Sequence, residues 1–509
     1  MTDTSTIDAL LRRHAAAAPA TTAVIDPENR LSYAELDQTS RELATRLITA
    51  GIRKGTRVGV LLPNAVTWVQ LACAITRIGA VLVPLSTLLR GGELSAQLRT
   101  AAVQHVITTT EFRGRRYPEE LDALDRAGLP ALQRIWTYRD VLAIDTGGVP
   151  DGFVAALAAT VRPADPMAVI FTSGSSGAPK GVQHSHGNAI AAVRSGLKAR
   201  CVTAETRLYL PMPFFWVGGF SGGILTALTA GATLITEATP TPEATLPLLA
   251  RERVTLFRGW PDQAEALARH PQAAATDLSA LRPGSLEALL PPEQRGAPGA
   301  RAKLFGMTES FGPYCGYPAD TDMPASAWGS CGKPFPGMEV RIVDPDSGVP
   351  VPPETVGEIQ IRGRHLMRGL CRQPRHEVFT ADGYYPTGDL GRLDAQGFLF
   401  YHGRADDMFK VSGATVYPSE VEAVLRAVPG VRAAFVTNID GARGNTCAAL
   451  VVGDTDVLSQ DALHAAARAE LSAFKVPGRW LLTEDEDLVP RGATGKLDVR
   501  RLRALLARS

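Results

Sequence analysis

FTSGSSGAPKGVQHSH, residues 171–186, follows a short apolar run and gathers small residues, a lysine and two histidines. The common P-loop needs Gly-Lys followed by Ser or Thr. Here Lys180 is preceded by Pro179 and followed by Gly181 and Val182, so a different phosphate chemistry is indicated. Ser173, Gly174, Ser175 and Ser176, with Gly177 beside them, let backbone N–H groups converge on an anion. Thr172, Ser173, Ser175 and Ser176 add hydroxyl donors, and Lys180 adds a mobile cation. Such a loop is suited to gripping a polyphosphate that must later leave. Its composition alone also fits a linker, but linkers are rarely framed by a strand such as MAVIFT and a segment such as HSHGN.

Working outward, β-branched runs alternate with helical stretches. RVGVLLP (57–63) is followed by the helix-like AVTWVQLACAITRIG and then AVLVPL (80–85), QHVITT (104–109), MAVIFT (167–172) and ATLITE (232–237). That alternation predicts stacked, largely parallel sheets in an α/β arrangement. Residues 337–403 follow a different pattern. GMEVRIVD, GEIQIRG and GFLFYHGR are short alternating strands split by Gly, Pro and Asp, which predicts an antiparallel β-rich part. After GRADD (403–407) the pattern becomes a small α+β unit of about 100 residues, plausible in size for a separate domain. The expected division is therefore 1–403, with 337–403 as its β-rich part, and 404–509.

The chain has 509 residues, 53 basic against 52 acidic, for a net charge of +1. No bulk attraction to nucleic acid or to an anionic membrane follows from that balance. Apolar runs are broken by residues such as Arg77 and Pro84, short of the ~20 residues of a membrane span. Cys73, Cys201, Cys315, Cys331, Cys371 and Cys447 form no CxxC pair, so free thiols in a reducing, cytoplasmic setting are expected. The N-terminus has early acids and no long apolar core and does not read as a signal peptide.

Three further stretches carry candidate chemistry. In LFGMTESFG (304–312), Glu309 beside Thr308 suits Mg²⁺ and a phosphate oxygen, and Phe305 suits stacking on a base. Alone, that stretch is read better as a surface turn with a solvated Glu. In YYPTGDLGRLDAQGFLFYHGRADDMFKVSG (384–413), Asp389 between Gly388 and Gly391 is expected in a tight turn, where a carboxylate can accept from two ribose hydroxyls. Arg404 precedes the acidic pair Asp406 and Asp407, where the composition shifts. In PRGATGKLDVRRL (490–502), Gly492 and Gly495 flank a loop that would project Lys496 as a single cation.

Taken together and in this order, these stretches resemble the adenylate-forming superfamily: acyl- and aryl-CoA synthetases, nonribosomal peptide adenylation domains and beetle luciferase. The resemblance runs from about residue 5 to the C-terminus and includes LSYAELDQTSRELATRL and GAVLVPL. It implies a large N-terminal domain, a small mobile C-terminal domain, and an ATP- and Mg²⁺-dependent ligase. Such an enzyme joins a carboxylic acid to AMP with release of pyrophosphate and then passes the acyl group on.

By resemblance the 172–181 loop holds the β,γ-phosphates. Phe305 stands at the adenine-stacking position, where a Tyr is usual; Thr308 contacts the α-phosphate and Glu309 ligates Mg²⁺. Asp389 and Arg404 match the ribose pair, Asp406 the hinge, and Lys496 the lysine bridging carboxylate and α-phosphate. Lys410, with Ser412 and Gly413, lies on the face used in the second half-reaction. PMPFFWVGGF (211–220) matches the acyl-site segment, placing Trp216, Val217 and Gly219 at the acid together with Trp260, Gly306 and Met307. Trp216 stands where many CoA ligases have His, which suggests a compact pocket for a cyclic or aromatic acid; core filling by both tryptophans is the competing reading. GSLEALLPPE (284–293) departs from the usual Gly-Gly-Ala-Pro. Coenzyme A is the commonest acceptor among stand-alone members, with an amine or a carrier-protein thiol as alternatives. A non-catalytic nucleotide-binding relative is disfavoured by Glu309, Asp389 and Lys496, and nothing in the sequence asks for a luciferase-like oxygenase.

Overall fold

The computed structural model describes residues 6–173, 179–405, 408–411, 414–441, 444–471, 473–492 and 497–508. The chain divides into two compact units. The larger comprises Met1–Val340, Ile361–Tyr385 and Gly397–Leu399; the smaller comprises Arg341–Gln360, Pro386–Gln396 and Phe400–Ser509.

Two sheets organise the larger unit. A seven-stranded sheet runs Gly369–Leu370, Pro179–Ser185, Pro166–Ser173, Val81–Pro84, Arg57–Leu61, His105–Thr108, Arg134–Thr137. Its first two pairings are antiparallel and the rest parallel. A five-stranded sheet runs Leu256–Phe257, Arg207–Tyr209, Thr233–Ile235, Thr22–Ile25, Arg30–Ser32, with only the last pairing antiparallel. The expected α/β architecture of largely parallel sheets is thus present. Buried strands such as Val81–Pro84 read as continuous apolar runs because both faces are covered.

Helix starts follow local chemistry. In LSYAE, Ser32 accepts from the Glu35 N–H while the Glu35 carboxylate accepts from the Ser32 N–H, so Tyr33–Thr49 begins there. The helix Val66–Arg77 is buried along most of its length. Trp68, near its start, lies 5.5 Å from the Phe214 ring and 5.7 Å from the Phe220 ring. Arg77 is also buried, and pairs with Asp8 at 3.1 Å and Asp37 at 2.6 Å. Each carboxylate comes from a different helix, so this ion cluster ties three helices together. Removing one member would strand a buried charge.

The smaller unit contains the hairpin Phe409–Val411/Ala414–Val416 and a three-stranded sheet of Val431–Gly441, Gly444–Gly453 and Arg479–Thr483. Helices Pro418–Arg426, Gln460–Glu470 and Val499–Arg508 accompany that sheet. Val421, Leu425, Val436, Val451 and Leu463 form part of one core. Leu502 and Leu506, four apart on one face of the last helix, enter another with Leu450 and Val452. A four-stranded sheet takes in Met338–Val343, Gly357–Gly363, Tyr385–Leu393 and Leu399–Arg404, the short strands expected from residues 337–403. Among the described residues no helix is long and apolar enough to cross a membrane. All six cysteines are free.

Candidate adenylation site

The opening stretch is a β-hairpin whose tip, 174–178, lies outside the described residues. Its strands pair antiparallel with Thr172 opposite Lys180 and Ser173 opposite Pro179. Gly174, Ser175, Ser176 and Gly177 therefore receive no structural description. The returning strand delivers Ser185 as a helix cap: its hydroxyl accepts from the Asn188 N–H, while Asn188 Oδ1 accepts from the Ser185 N–H at 2.7 Å.

That cap decides a proton position. With Oδ1 accepting, Asn188 Nδ2 is the donor and gives a hydrogen to His184 Nδ1 at 2.9 Å. The His184 proton is then on Nε2, 2.9 Å from the Thr308 carbonyl oxygen, to which it donates. Burial pushes the His184 pKa down to about 3, opposed by these hydrogen bonds, so the ring is neutral. The ring also meets Phe311 edge-on at 4.8 Å.

Thr308, Glu309 and Ser310 form one tight turn after the strand Phe305–Met307. Glu309 is only 6 % exposed, so the solvated-turn alternative does not hold. Its Oε1 accepts from the Tyr385 hydroxyl at 3.1 Å, and its carbonyl accepts from the Met367 N–H at 2.8 Å. Among the described residues no lysine or arginine pairs with it. A buried carboxylate without a basic partner is costly unless a cation joins it, which fits a divalent metal ion. The next residue but one, Phe311, has φ 55°, uncommon for a bulky residue, and is fully buried. Its carbonyl accepts from Ser221 Oγ at 2.8 Å, which helps to hold that conformation. Phe305 is half-buried, its ring 5.5 Å from Tyr314; Gly306 and Met307 pair with Pro313 and Gly312.

Trp216 and Trp260 come together edge to face, 6.0 Å between centroids, and both are partly exposed. Phe215 meets Trp216 at 5.3 Å. Trp216 caps a one-turn helix, Val217–Gly219, which passes into the π-helical segment Phe220–Leu225, an irregularity often found at functional sites. Gly219 is obligatory: a Cβ there would lie 2.2 Å from the Pro213 carbonyl oxygen.

In the smaller unit, Asp389 is buried and Arg404 Nη1 donates to its Oδ1 at 3.0 Å and to the Thr387 carbonyl at 2.8 Å. Asp389 lies within the strand Tyr385–Leu393 rather than in the tight turn expected. Gly388, at φ 68°, bends that strand, so the glycine spacing records a kink and not a reversal. Lys410 sits on the strand Phe409–Val411, opposite Thr415, with its side chain outside what is described. Asp406, Ser412, Gly413 and Lys496 fall outside the described residues. Sequence reasoning assigns no role to His184, Asn188 or Tyr385, although HSHGN carries the signal of a Ser-x-x-Asn cap placed after a histidine.

A profile of the family described as AMP-binding enzyme matches residues 11–371. The chain belongs to that family. It is 32% identical, over 99% of both chains, to a Mycobacterium tuberculosis CoA ligase named for a 3-(7a-methyl-1,5-dioxo-octahydro-1H-inden-4-yl)propanoyl group. It is 30% identical to the indoleacetate–CoA ligase of Aromatoleum aromaticum, covering 97% of each. Among solved structures, the amide bond synthetase McbA of Marinactinospora thermotolerans superposes with a TM-score of 0.83 at 27% identity, covering 98% of this chain and 99% of that one. This AMP-binding enzyme is an AMP-forming acid ligase of the adenylate-forming superfamily.

Proposed function

We infer that the enzyme adenylates a cyclic or aromatic carboxylic acid and transfers the acyl group to coenzyme A. The observation that carries the adenylation site is the buried Glu309 carboxylate, without a basic partner among the described residues, on a turn gripped by His184, Tyr385 and Met367. Glu309 would hold Mg²⁺, which offsets phosphate charge when bound. Thr308 and Lys180 would meet phosphate oxygens, Phe305 the adenine face, and Asp389 with Arg404 the ribose hydroxyls. Lys496 would bridge the acid's carboxylate and the α-phosphate. A carboxylate is a poor electrophile and repels a triphosphate, so cations fixed in advance around the reacting phosphorus are the main catalytic contribution.

The paired rings of Trp216 and Trp260 support a flat or cyclic acid, as do relatives named for an indole and an indenyl substrate. Residues 404–509 would turn about Asp406 between half-reactions, withdrawing Lys496 and bringing Lys410 forward. Six free thiols support a reducing, cytoplasmic setting. A second reading, transfer to an amine, draws on Trp216 in place of the His of many CoA ligases and on the likeness to an amide bond synthetase. The test is pyrophosphate release over a panel of cyclic and linear acids, followed by product mass with CoA, with amines and with neither. Release with linear acids alone would overturn the acid class; an amide as the sole product would overturn the acceptor.

A further inference from the structure

The larger unit carries a cleft of about 750 Å³ whose lining includes Ser185, Asn188 and four arginines: Arg362, Arg364, Arg368 and Arg375. No aspartate or glutamate lines it. Thr172, Lys180 and Glu309 do not line it either, so it is not the adenylation site described above.

The arginines differ in how far they are used. Arg362 Nη2 donates to Glu339 at 2.5 Å and its Nη1 to the Asp382 carbonyl at 3.1 Å. Arg375 Nη1 donates to the Arg368 carbonyl at 2.9 Å, with its guanidinium 3.9 Å from the Phe379 ring centre. Arg364 and Arg368 are exposed and form no ion pair among the described residues. A second arginine-rich hollow gives the contrast. There Arg30, Arg207 and Arg251 converge on one buried Glu252 at 2.7, 2.9 and 3.1 Å, so the carboxylate is already inside the cluster.

The backbone that presents the guanidiniums is anchored. The Met367 N–H donates to the Glu309 carbonyl, the Arg368 N–H to the Gln183 carbonyl, and Asn188 Nδ2 to the His365 carbonyl. The helix beginning at His186 contributes no open donors among His186, Gly187 and Asn188, whose N–H groups donate to Asp165, Pro163 and Ser185. An incoming anion would therefore be held by side chains.

We propose that this cleft binds a phosphorylated small molecule through its phosphate groups. Its volume is that of small-molecule sites, which run from roughly 300 to 1,000 Å³. Guanidinium forks match phosphate oxygens two at a time. The phosphate can belong to a free polyphosphate or to a nucleotide.

The test uses the full-length enzyme with its ATP site filled by saturating ATP and excess Mg²⁺, without acid. Inorganic tripolyphosphate and 3′-phosphoadenosine 5′-phosphate are titrated separately by calorimetry. One site that ATP does not compete for is expected, with at least ten-fold weaker binding in Arg364→Glu/Arg368→Glu. That variant should keep its melting temperature and its acid-dependent pyrophosphate release. Tighter binding of tripolyphosphate identifies a free polyphosphate, and tighter binding of the nucleotide identifies a nucleotide. Should charge reversal disturb folding, Arg364→Gln/Arg368→Gln must show the same direction of loss. No binding beyond the ATP-competed site, or an affinity unmoved by these variants, overturns the proposal.

Discussion

His184 donates from Nε2 to the carbonyl oxygen of Thr308 at 2.9 Å, across 124 residues of sequence. The bond ties the hairpin that carries Lys180 to the turn that carries Glu309. His184→Leu would leave the Thr308 carbonyl and one Asn188 hydrogen unpaired, at a cost of about 1–3 kcal/mol. We expect a lower melting temperature and a raised KM for ATP, with His184→Gln restoring part of both. A leucine variant as stable and as ATP-competent as the parent would show that the bond positions nothing.

Stability should fall with acid from about pH 6.5. Burial lowers the pKa of His184 to about 3 and those of His186 and His365 to about 4, from an ordinary 6.5. Between the folded and unfolded values the unfolded chain binds more protons, so each histidine makes unfolding easier as pH drops. The slope is about 1.4 kcal/mol per pH unit per histidine, ending near the folded values. Denaturant midpoints at pH 7, 6 and 5 measure it. A flat profile through this window would contradict the burial of these rings.

Glu309→Gln keeps the shape and removes the charge. Adenylation measured by pyrophosphate exchange should drop by about 100-fold or more, the scale of losing a preorganised electrostatic contact. Tyr385→Phe removes one hydrogen bond to the same carboxylate, a change of about 1 kcal/mol or somewhat more for a charged acceptor. It should shift the Mg²⁺ concentration for half-maximal rate while sparing the maximum rate. Equal collapse of both variants with loss of fold would assign the turn to structure.

Trp216→Ala and Trp216→His should move the ratio of kcat/KM between large and small cyclic acids. The ring is partly exposed, so truncation should cost less than the ~3–5 kcal/mol of a core aromatic. Selectivity that holds constant while the melting point collapses would make Trp216 a core residue.

Lys496→Ala should reduce acid-dependent pyrophosphate release by about 100-fold, as for removal of a preorganised charge. With Asp406 as the proposed hinge, Asp406→Pro, which fixes φ there, should spare adenylate formation while blocking acyl transfer. Normal adenylation in the first variant, or equal loss of both steps in the second, would overturn the role concerned.

Local features were legible without a fold. The strand preceding the opening loop, the helix of AVTWVQLACAITRIG and the cap Ser32-x-x-Glu35 depend on residues close to one another in the chain, and their spacing is visible there. The order of motifs likewise pointed to the family. Tertiary structure decided which polar groups meet. Tyr385 reaches Glu309 across 76 residues, and Arg77 joins Asp8 and Asp37 from separate helices. It also turned the glycines around Asp389 into a kinked strand. Buried hydrogen-bonding groups must find partners, and which partners they find depends on which faces the packing brings together. Spacing along the sequence does not encode that.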